Sequence, residues 1–555
     1  MTDNAHRTYA DIRAALLAKQ EIALIDVREE DPHAQSHPLF SANIPLAKIE
    51  LEAYTRLPRL SVPIVVFDGG EGDAALAVQR FKHIGYTNVT ELAGGLDAWR
   101  NAGGELFRDV NSASKAFGEL VESKRHTPSL SAEEVQQRLT DNSNVVVLDA
   151  RRFDEYQTMN IPGSVSVPGA ELALRARALA PDPETLVIVN CAGRTRSIIG
   201  TQSLVNAALP NPVAALRNGT IGWTLAGQTL EKGSQRRFQS GDGLSEATLA
   251  RSSRAARAVA DKAGVKRLTW EALDHWRADA QNTADAATTY RFDVRTPEEY
   301  LSGHLQGFIN APGGQLVQET EMFAPVRGAR IVLFDTDGVR ANMTASWLAQ
   351  MNNDVYVLDA SSTSNPALAG RLTVTGAHQN ARPTAPASPS ITVQALAAAL
   401  AASADGSQTS SDRHAPQAPL LLDFTTSANH VKAHIPGAWW TLRSRLAKDL
   451  RELPDASSYV VTCGSDALAR YVAPEIATLT GKPTSWLSGG NAAWIAAGLP
   501  TESGEQALAS PRIDRYRRPY EGTDASTEAM NAYLEWEYGL VEQLARDGTH
   551  GFFVI

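Results

Sequence analysis

Cys191 closes the apolar run Val187-Ile188-Val189-Asn190 and opens the loop Ala192-Gly193-Arg194-Thr195-Arg196-Ser197. The run reads as a buried strand, and Ile198-Ile199-Gly200 beyond the loop reads as the start of a helix. A thiol at that junction faces loop N–H groups, a helix N-terminus and two guanidinium groups. All of these favour the thiolate, so a lowered thiol pKa is expected. The same N–H groups form a cradle for an anion. A nucleophile inside an anion cradle suits covalent group transfer through the sulfur.

The elements that must position this loop occur four times. Apolar strands ending in Asp precede it or its counterparts: Leu24-Ile25-Asp26, Val147-Leu148-Asp149, Arg291-Phe292-Asp293 and Leu421-Leu422-Asp423. A second strand follows and ends at Asp68, Cys191 and Asp335, each 42 residues on, and at Cys463, 40 residues on. Trp99, Trp223 and Trp494 close three copies, 31, 32 and 31 residues after the loop position. Strands alternating with helical stretches such as 74–81 and 341–348 predict an α/β fold, a mainly parallel sheet flanked by helices in each unit. Ligand sites in such sheets lie at the carboxyl ends of the strands. Units of about 100 residues can bury their own cores, so four beads are expected rather than a solenoid. The divisions read from the sequence are 1–108, 129–230, 264–362 and 390–504, with a helical C-terminal tail over 505–555.

The Cys191 loop resembles the active-site loop of the rhodanese (thiosulfate sulfurtransferase) family. The resemblance includes Leu148-Asp149-Ala150-Arg151, the turn Ile161-Pro162-Gly163-Ser164, and Asn218-Gly219-Thr220-Ile221-Gly222-Trp223, which is similar to the family's closing Gly-Gly-x-x-x-Trp element. Asn160 stands where the family usually has His. The resemblance implies four tandem rhodanese-like domains and a sulfurtransferase in which Cys191 holds sulfane sulfur as a persulfide. It implies a small sulfur-containing anion as donor, with Ala192, Gly193, Arg194, Thr195, Arg196 and Ser197 binding it. Cyanide, a small thiol or a protein thiol would accept the sulfur. Neither an organic cofactor nor a metal is implied. Asp149 and Arg151 are expected to pair and fix the strand end, with Trp223 as core beside the loop. Glu155 is open between a solvated position and an arginine partner.

The other loops differ in chemistry. Asp68 and Asp335 replace the nucleophile in units one and three, which resemble non-catalytic rhodanese domains. Unit four keeps Cys463-Gly464-Ser465, similar to the loop start of mercaptopyruvate sulfurtransferases, but Asp466 follows and the next arginine is Arg470. A second sulfur carrier and a retired copy both fit. A Cys-x5-Arg phosphatase is disfavoured, because its arginine would fall at Ser197. A sulfur-relay scaffold is the rival from another class, and a mercaptopyruvate sulfurtransferase a further one.

Composition narrows the setting. The formal net charge of −10 is unsuited to general nucleic-acid binding. No apolar run approaches the roughly 20 residues of a membrane span, and no signal-peptide core follows Met1. The chain has 2 cysteines and no zinc-type spacing, which points to a reducing cytoplasm. Residues 109–128 read as a polar linker, 361–390 as a flexible connector, and 403–416 as a surface insertion. The aromatic tail, with an amphipathic helix over 528–546, is expected to dock on this chain or on a second copy in a homodimer.

Overall fold

The computed structural model describes residues 5–238, 244–282, 287–358, 370–404, 419–522 and 524–555. Residues 405–416 of the insertion and 361–369 of the connector lie outside these residues.

Four sheets carry the four units, and all follow one strand order. The first strand of a unit lies at one edge, followed across the sheet by its fifth, fourth, second and third. In unit two these are Ser129–Leu130, Val213–Leu216, Leu186–Asn190, Val145–Asp149 and Val165–Ser166, all parallel. The neighbouring central strands are the apolar, β-branched segments read from the sequence. Burial on both faces explains why they show no polar alternation. Asp149 stands opposite Asn190 in register, so the first Asp-tipped strand ends beside the strand that delivers Cys191. That is the carboxyl edge where the chain reverses its winding direction.

The units are not separate beads. One apolar core joins Val66 and Phe81 of unit one, Ile198 of unit two and Trp347 and Leu348 of unit three. Val326–Arg327 of unit three adds an antiparallel strand to the unit-one sheet. Trp347 Nε1 donates to Ser203 Oγ at 2.8 Å, linking units three and two inside this core. Unit four keeps its own core around Leu422, Val461 and Ile476. It meets unit one through Arg443, whose guanidinium spans both oxygens of Glu50 at 2.8 and 2.9 Å.

The supposed linker at 109–128 is a helix, Ser112–Arg125, at the centre of this arrangement. Ala113, Ala116, Phe117, Leu120 and Val121 recur at intervals of three and one, which is one helical face. Phe117 is fully buried, edge-on to Trp347 and to Phe552 from the chain's end. The tail docks on its own chain as two helices, Thr527–Tyr538 and Leu540–Asp547, where one had been expected. Leu540 and Leu544 pack into the shared core. No helix among the described residues is long and apolar enough to cross a membrane.

Truncating a buried phenylalanine costs about 3–5 kcal/mol through lost transfer energy and the cavity left behind. Phe117→Ala should therefore lower the urea midpoint of units one to three together. Unit four, followed by hydrogen exchange of its strands Leu420–Asp423 and Tyr459–Thr462, should unfold at an unchanged midpoint.

Candidate active site

Cys191 follows the last residue of the strand Leu186–Asn190, and the helix Thr195–Asn206 begins four residues later. Asn190 Nδ2 donates to Asp149 Oδ2 at 2.7 Å, while Arg151 grips the same carboxylate through Nε and Nη2 at 2.9 and 2.8 Å. This buried cluster anchors the strand end, as the sequence suggested. Trp223 is fully buried beside Val135 and Ile188, and its Nε1 donates to the Thr229 carbonyl. Asn160 Nδ2 donates to the Tyr156 carbonyl at 3.1 Å. His304 and His434 meet the carbonyls of Tyr300 and His430 through Nδ1 at the matching turns. Asn therefore supplies the same donor as the usual histidine.

The loop is pinned from its far side. The Cys191 carbonyl accepts from the Thr220 N–H at 2.9 Å, and the Ala192 carbonyl from the Ile221 N–H at 3.0 Å. Gly219 permits this approach. Its φ is +54°, and an added Cβ would lie 2.3 Å from the Cys191 carbonyl oxygen. Gly490 plays the same part beneath the Cys463 loop. This is the physical reason for the glycines ahead of the closing tryptophan.

The Cys191 side chain is 1% exposed. Its thiol donates to Ser197 Oγ at 3.4 Å, and that hydroxyl donates to the Arg194 carbonyl at 2.9 Å. The expected lowering of the thiol pKa is corrected here. Burial pushes it above the usual thiol value, outweighing the Arg196 charge and the Ser197 hydrogen bonds that favour the thiolate. Glu537 raises it further. Of the two arginines, Arg196 is the one whose charge is a leading influence on the sulfur. Arg194 turns away, bidentate to Glu119 at 2.7 and 2.8 Å and stacked on the Tyr538 ring at 4.4 Å. Arg196 is held by Glu155 through two bonds, at 2.7 and 2.9 Å, which settles the partner of Glu155. Arg196 also lines three cavities, of about 40, 300 and 760 Å³.

Three groups missed at the sequence level complete the site: Glu119 from the supposed linker, and Tyr533 and Glu537 from the tail. The helix Thr527–Tyr538 lies over the loop so closely that a Cβ at Gly193 would stand 3.2 Å from Tyr533 Cε1 and 3.3 Å from Glu537 Oε2. Met530, Tyr533, Leu534 and Glu537 follow a helical i, i+3, i+4, i+7 pattern. A glutamate on that otherwise apolar face was the available signal.

The remaining loops answer their chemistry differently. Asp68 accepts from the N–H groups of Gly70 and Ala74, both at 2.9 Å. Asp335 accepts from those of Gly338 and Ala341 at 2.9 and 2.8 Å. Each aspartate thus fills its own anion cradle. Cys463 is buried, with Gly464 and Ser465 exposed beside it. Its thiol donates to the Ser465 carbonyl at 2.7 Å. Burial pushes its pKa up, and the opposing carboxylate is Asp423 rather than Asp466. Arg470 is taken by Asp466 at 2.8 Å and lies over Trp486, away from the thiol. No cluster of three or more metal-ligating side chains occurs among the described residues.

Burial pushes Glu537 up to about 8 from the usual 4.5. Between those values the folded chain keeps a proton that the unfolded chain has released, so this group makes stability fall as pH rises. Asp335, also pushed up to about 8, acts in the same direction. Glu537→Gln should therefore flatten, without abolishing, the loss of urea stability between pH 5 and pH 8. An unchanged slope would contradict the burial argument.

The model of the rhodanese-like domain matches residues 10–102, 131–226 and 276–364. A crystal structure of thiosulfate sulfurtransferase from Pseudomonas aeruginosa is 60% identical, covers 99% of this chain and 100% of that one, and superposes with a TM-score of 0.93. An HTH-type transcriptional regulator, Rv0324, of Mycobacterium tuberculosis (strain ATCC 25618 / H37Rv) is 29% identical over 96 residues, 17% of this chain and 42% of that protein. With three family matches along a chain that folds into four sheets of one strand order, the protein belongs to the rhodanese family.

Proposed function

We propose that this protein is a rhodanese-type sulfurtransferase that moves sulfane sulfur from thiosulfate, or a similar anion, to cyanide or a thiol through a persulfide on Cys191. The observation that carries this reading is the end-to-end likeness to the thiosulfate sulfurtransferase, at 60% identity over 99% of the chain. Unit two supports it locally, because the Arg196 guanidinium favours the Cys191 thiolate, whereas the Asp423 carboxylate opposes that of Cys463.

Thiosulfate is a dianion with a nucleophile-accepting outer sulfur. Its sulfonate end takes Arg196 in place of Glu155, a charge-assisted exchange that keeps the guanidinium paired. The Cys191 thiolate attacks the outer sulfur. A new S–S bond forms, the donor's S–S bond breaks, and sulfite leaves with the electron pair. The loop N–H groups and Arg196 hold the resulting persulfide anion. An acceptor then attacks the outer sulfur and Cys191 leaves as thiolate, a double displacement. Domains one and three serve as scaffold, and unit four is a retired copy. The two free cysteines suit a reducing cytoplasm.

Purified protein given thiosulfate and cyanide should form thiocyanate. Cys191→Ser should reduce turnover to background, and Cys463→Ser should retain it. Turnover that survives Cys191→Ser would overturn the assignment. A wild type that loads sulfur without passing it to small acceptors would favour the sulfur-relay reading.

A further inference from the structure

The cavity of about 300 Å³ beside Arg196 is built by two distant parts of the chain. Arg151 and Arg196 line it from unit two, and Arg518 and Tyr520 line it from the tail. The two unit-two arginines belong to segments that flank the thiol. Arg196 precedes Ser197, whose hydroxyl receives the Cys191 S–H at 3.4 Å. Asp149, which grips Arg151, also binds Asn190, the residue before Cys191. Arg151 is 1% exposed and spends Nε and Nη2 on Asp149 and the Met159 carbonyl. Arg196 gives both Nη atoms to Glu155. The Tyr520 ring is set edge-on to Tyr533 at 5.3 Å between centroids, and burial keeps its phenol protonated. Among the described residues, Arg151 Nη1, Arg196 Nε and the Tyr520 hydroxyl have no hydrogen-bond partner. Three unspent donors around one cavity call for an acceptor. The carboxylates of the wall do not supply it. Glu155 is held by Arg196, and Glu521 is shared by Arg515 and Arg518. Asp154 is mostly exposed beside Arg152. Glu319 stands with Arg518 where a second cavity, of about 110 Å³, adjoins.

We propose that Tyr520 of the tail, together with Arg151 and Arg196, seats the sulfonate end of the donor in this cavity. The inference rests on the sulfur-transfer reading of Cys191 and makes the tail part of donor recognition. A sulfonate presents three oxygens, and Arg151 Nη1, Arg196 Nε and Tyr520 OH offer one donor to each. Hydrogen bonds to an ionised acceptor are shorter and stronger than neutral ones. The guanidiniums supply charge that any anion would feel. The phenol adds a fixed, uncharged donor, so it favours an anion with an oxygen at that place over one whose charge sits on sulfur. Sulfite carries the same three oxygens when it leaves, so it fits the same seat and competes with fresh donor. Tyr520 is therefore a specificity residue for a sulfur oxyanion.

The test uses the full-length protein and Tyr520→Phe, which removes the hydroxyl and keeps the ring. Thiosulfate and sulfite are titrated calorimetrically into Cys191→Ser with and without Tyr520→Phe, so that binding is read without turnover. The second substitution should weaken both by about 10-fold, the loss of one hydrogen bond to a charged group. With Cys191 present, Tyr520→Phe should raise the thiosulfate KM about 10-fold and leave kcat nearly unchanged, because the bond is made before and during the transfer. An alkyl persulfide brings sulfane sulfur without an oxyanion, and its kcat/KM should not move. Alkylation of Cys191 by iodoacetamide, read in a Cys463→Ser background, should not move either. An unmoved thiosulfate KM overturns the proposal, even where sulfite binds more weakly, since the seat would then serve a free anion only. An equal loss with the alkyl persulfide, or a parallel change in alkylation, marks a structural role and also overturns it. If Tyr520→Phe weakens both anions in Cys191→Ser but the wild type forms no persulfide, the sulfurtransferase reading falls while the oxyanion seat stands.

Discussion

The burial of one thiol sets the terms for the rest of this structure. Cys191 lies beneath a loop that is itself covered by the C-terminal helix Thr527–Tyr538. Water exclusion strengthens every charge around the sulfur. It also penalises the anion the chemistry needs, and here the penalty exceeds the help from Arg196. The electrostatic design is thus a balance between one guanidinium and several desolvating walls, and it leaves proton removal as a distinct requirement.

That balance depends on parts of the chain far apart in sequence. The Asp149–Arg151–Asn190 cluster fixes the strand end, Gly219 lets a second loop hold the cysteine carbonyl, and Glu155 holds Arg196. Glu119 diverts Arg194 from the sulfur, and it comes from a helix between units. The shared core explains how a tail at residues 527–547 reaches a loop at 191–197. Repetition supplied a scaffold in which units one and three turn their own aspartates into their cradles. Both units share one apolar core with unit two.

Much of this was legible in the amino acids. Each Asp-tipped strand and the recurring spacing of 42 residues, 40 in unit four, identified a repeated parallel sheet, because strand ends and loop positions are set by local patterning. The anchoring role of Asp149 and Arg151 followed from their places two residues apart at a strand end. What escaped notice was set by tertiary contacts. The face formed by Ala113, Ala116, Phe117, Leu120 and Val121 was hidden among Ser, Lys and Glu, so a central helix read as a linker. The direction of the thiol shift also escaped, since motif residues reveal charge but not the depth of burial produced by a distant tail. Arg194 and Arg196 look equivalent in sequence, and only packing shows which one faces the sulfur.

The account stands on Cys191 as the sulfur-carrying atom. The most direct measurement is peptide mass spectrometry of the wild-type protein after brief exposure to thiosulfate, without an acceptor. A gain of one sulfur atom on the peptide containing Cys191, with the Cys463 peptide unchanged, is the predicted result. Sulfur found on Cys463 alone, or on neither peptide, would contradict it.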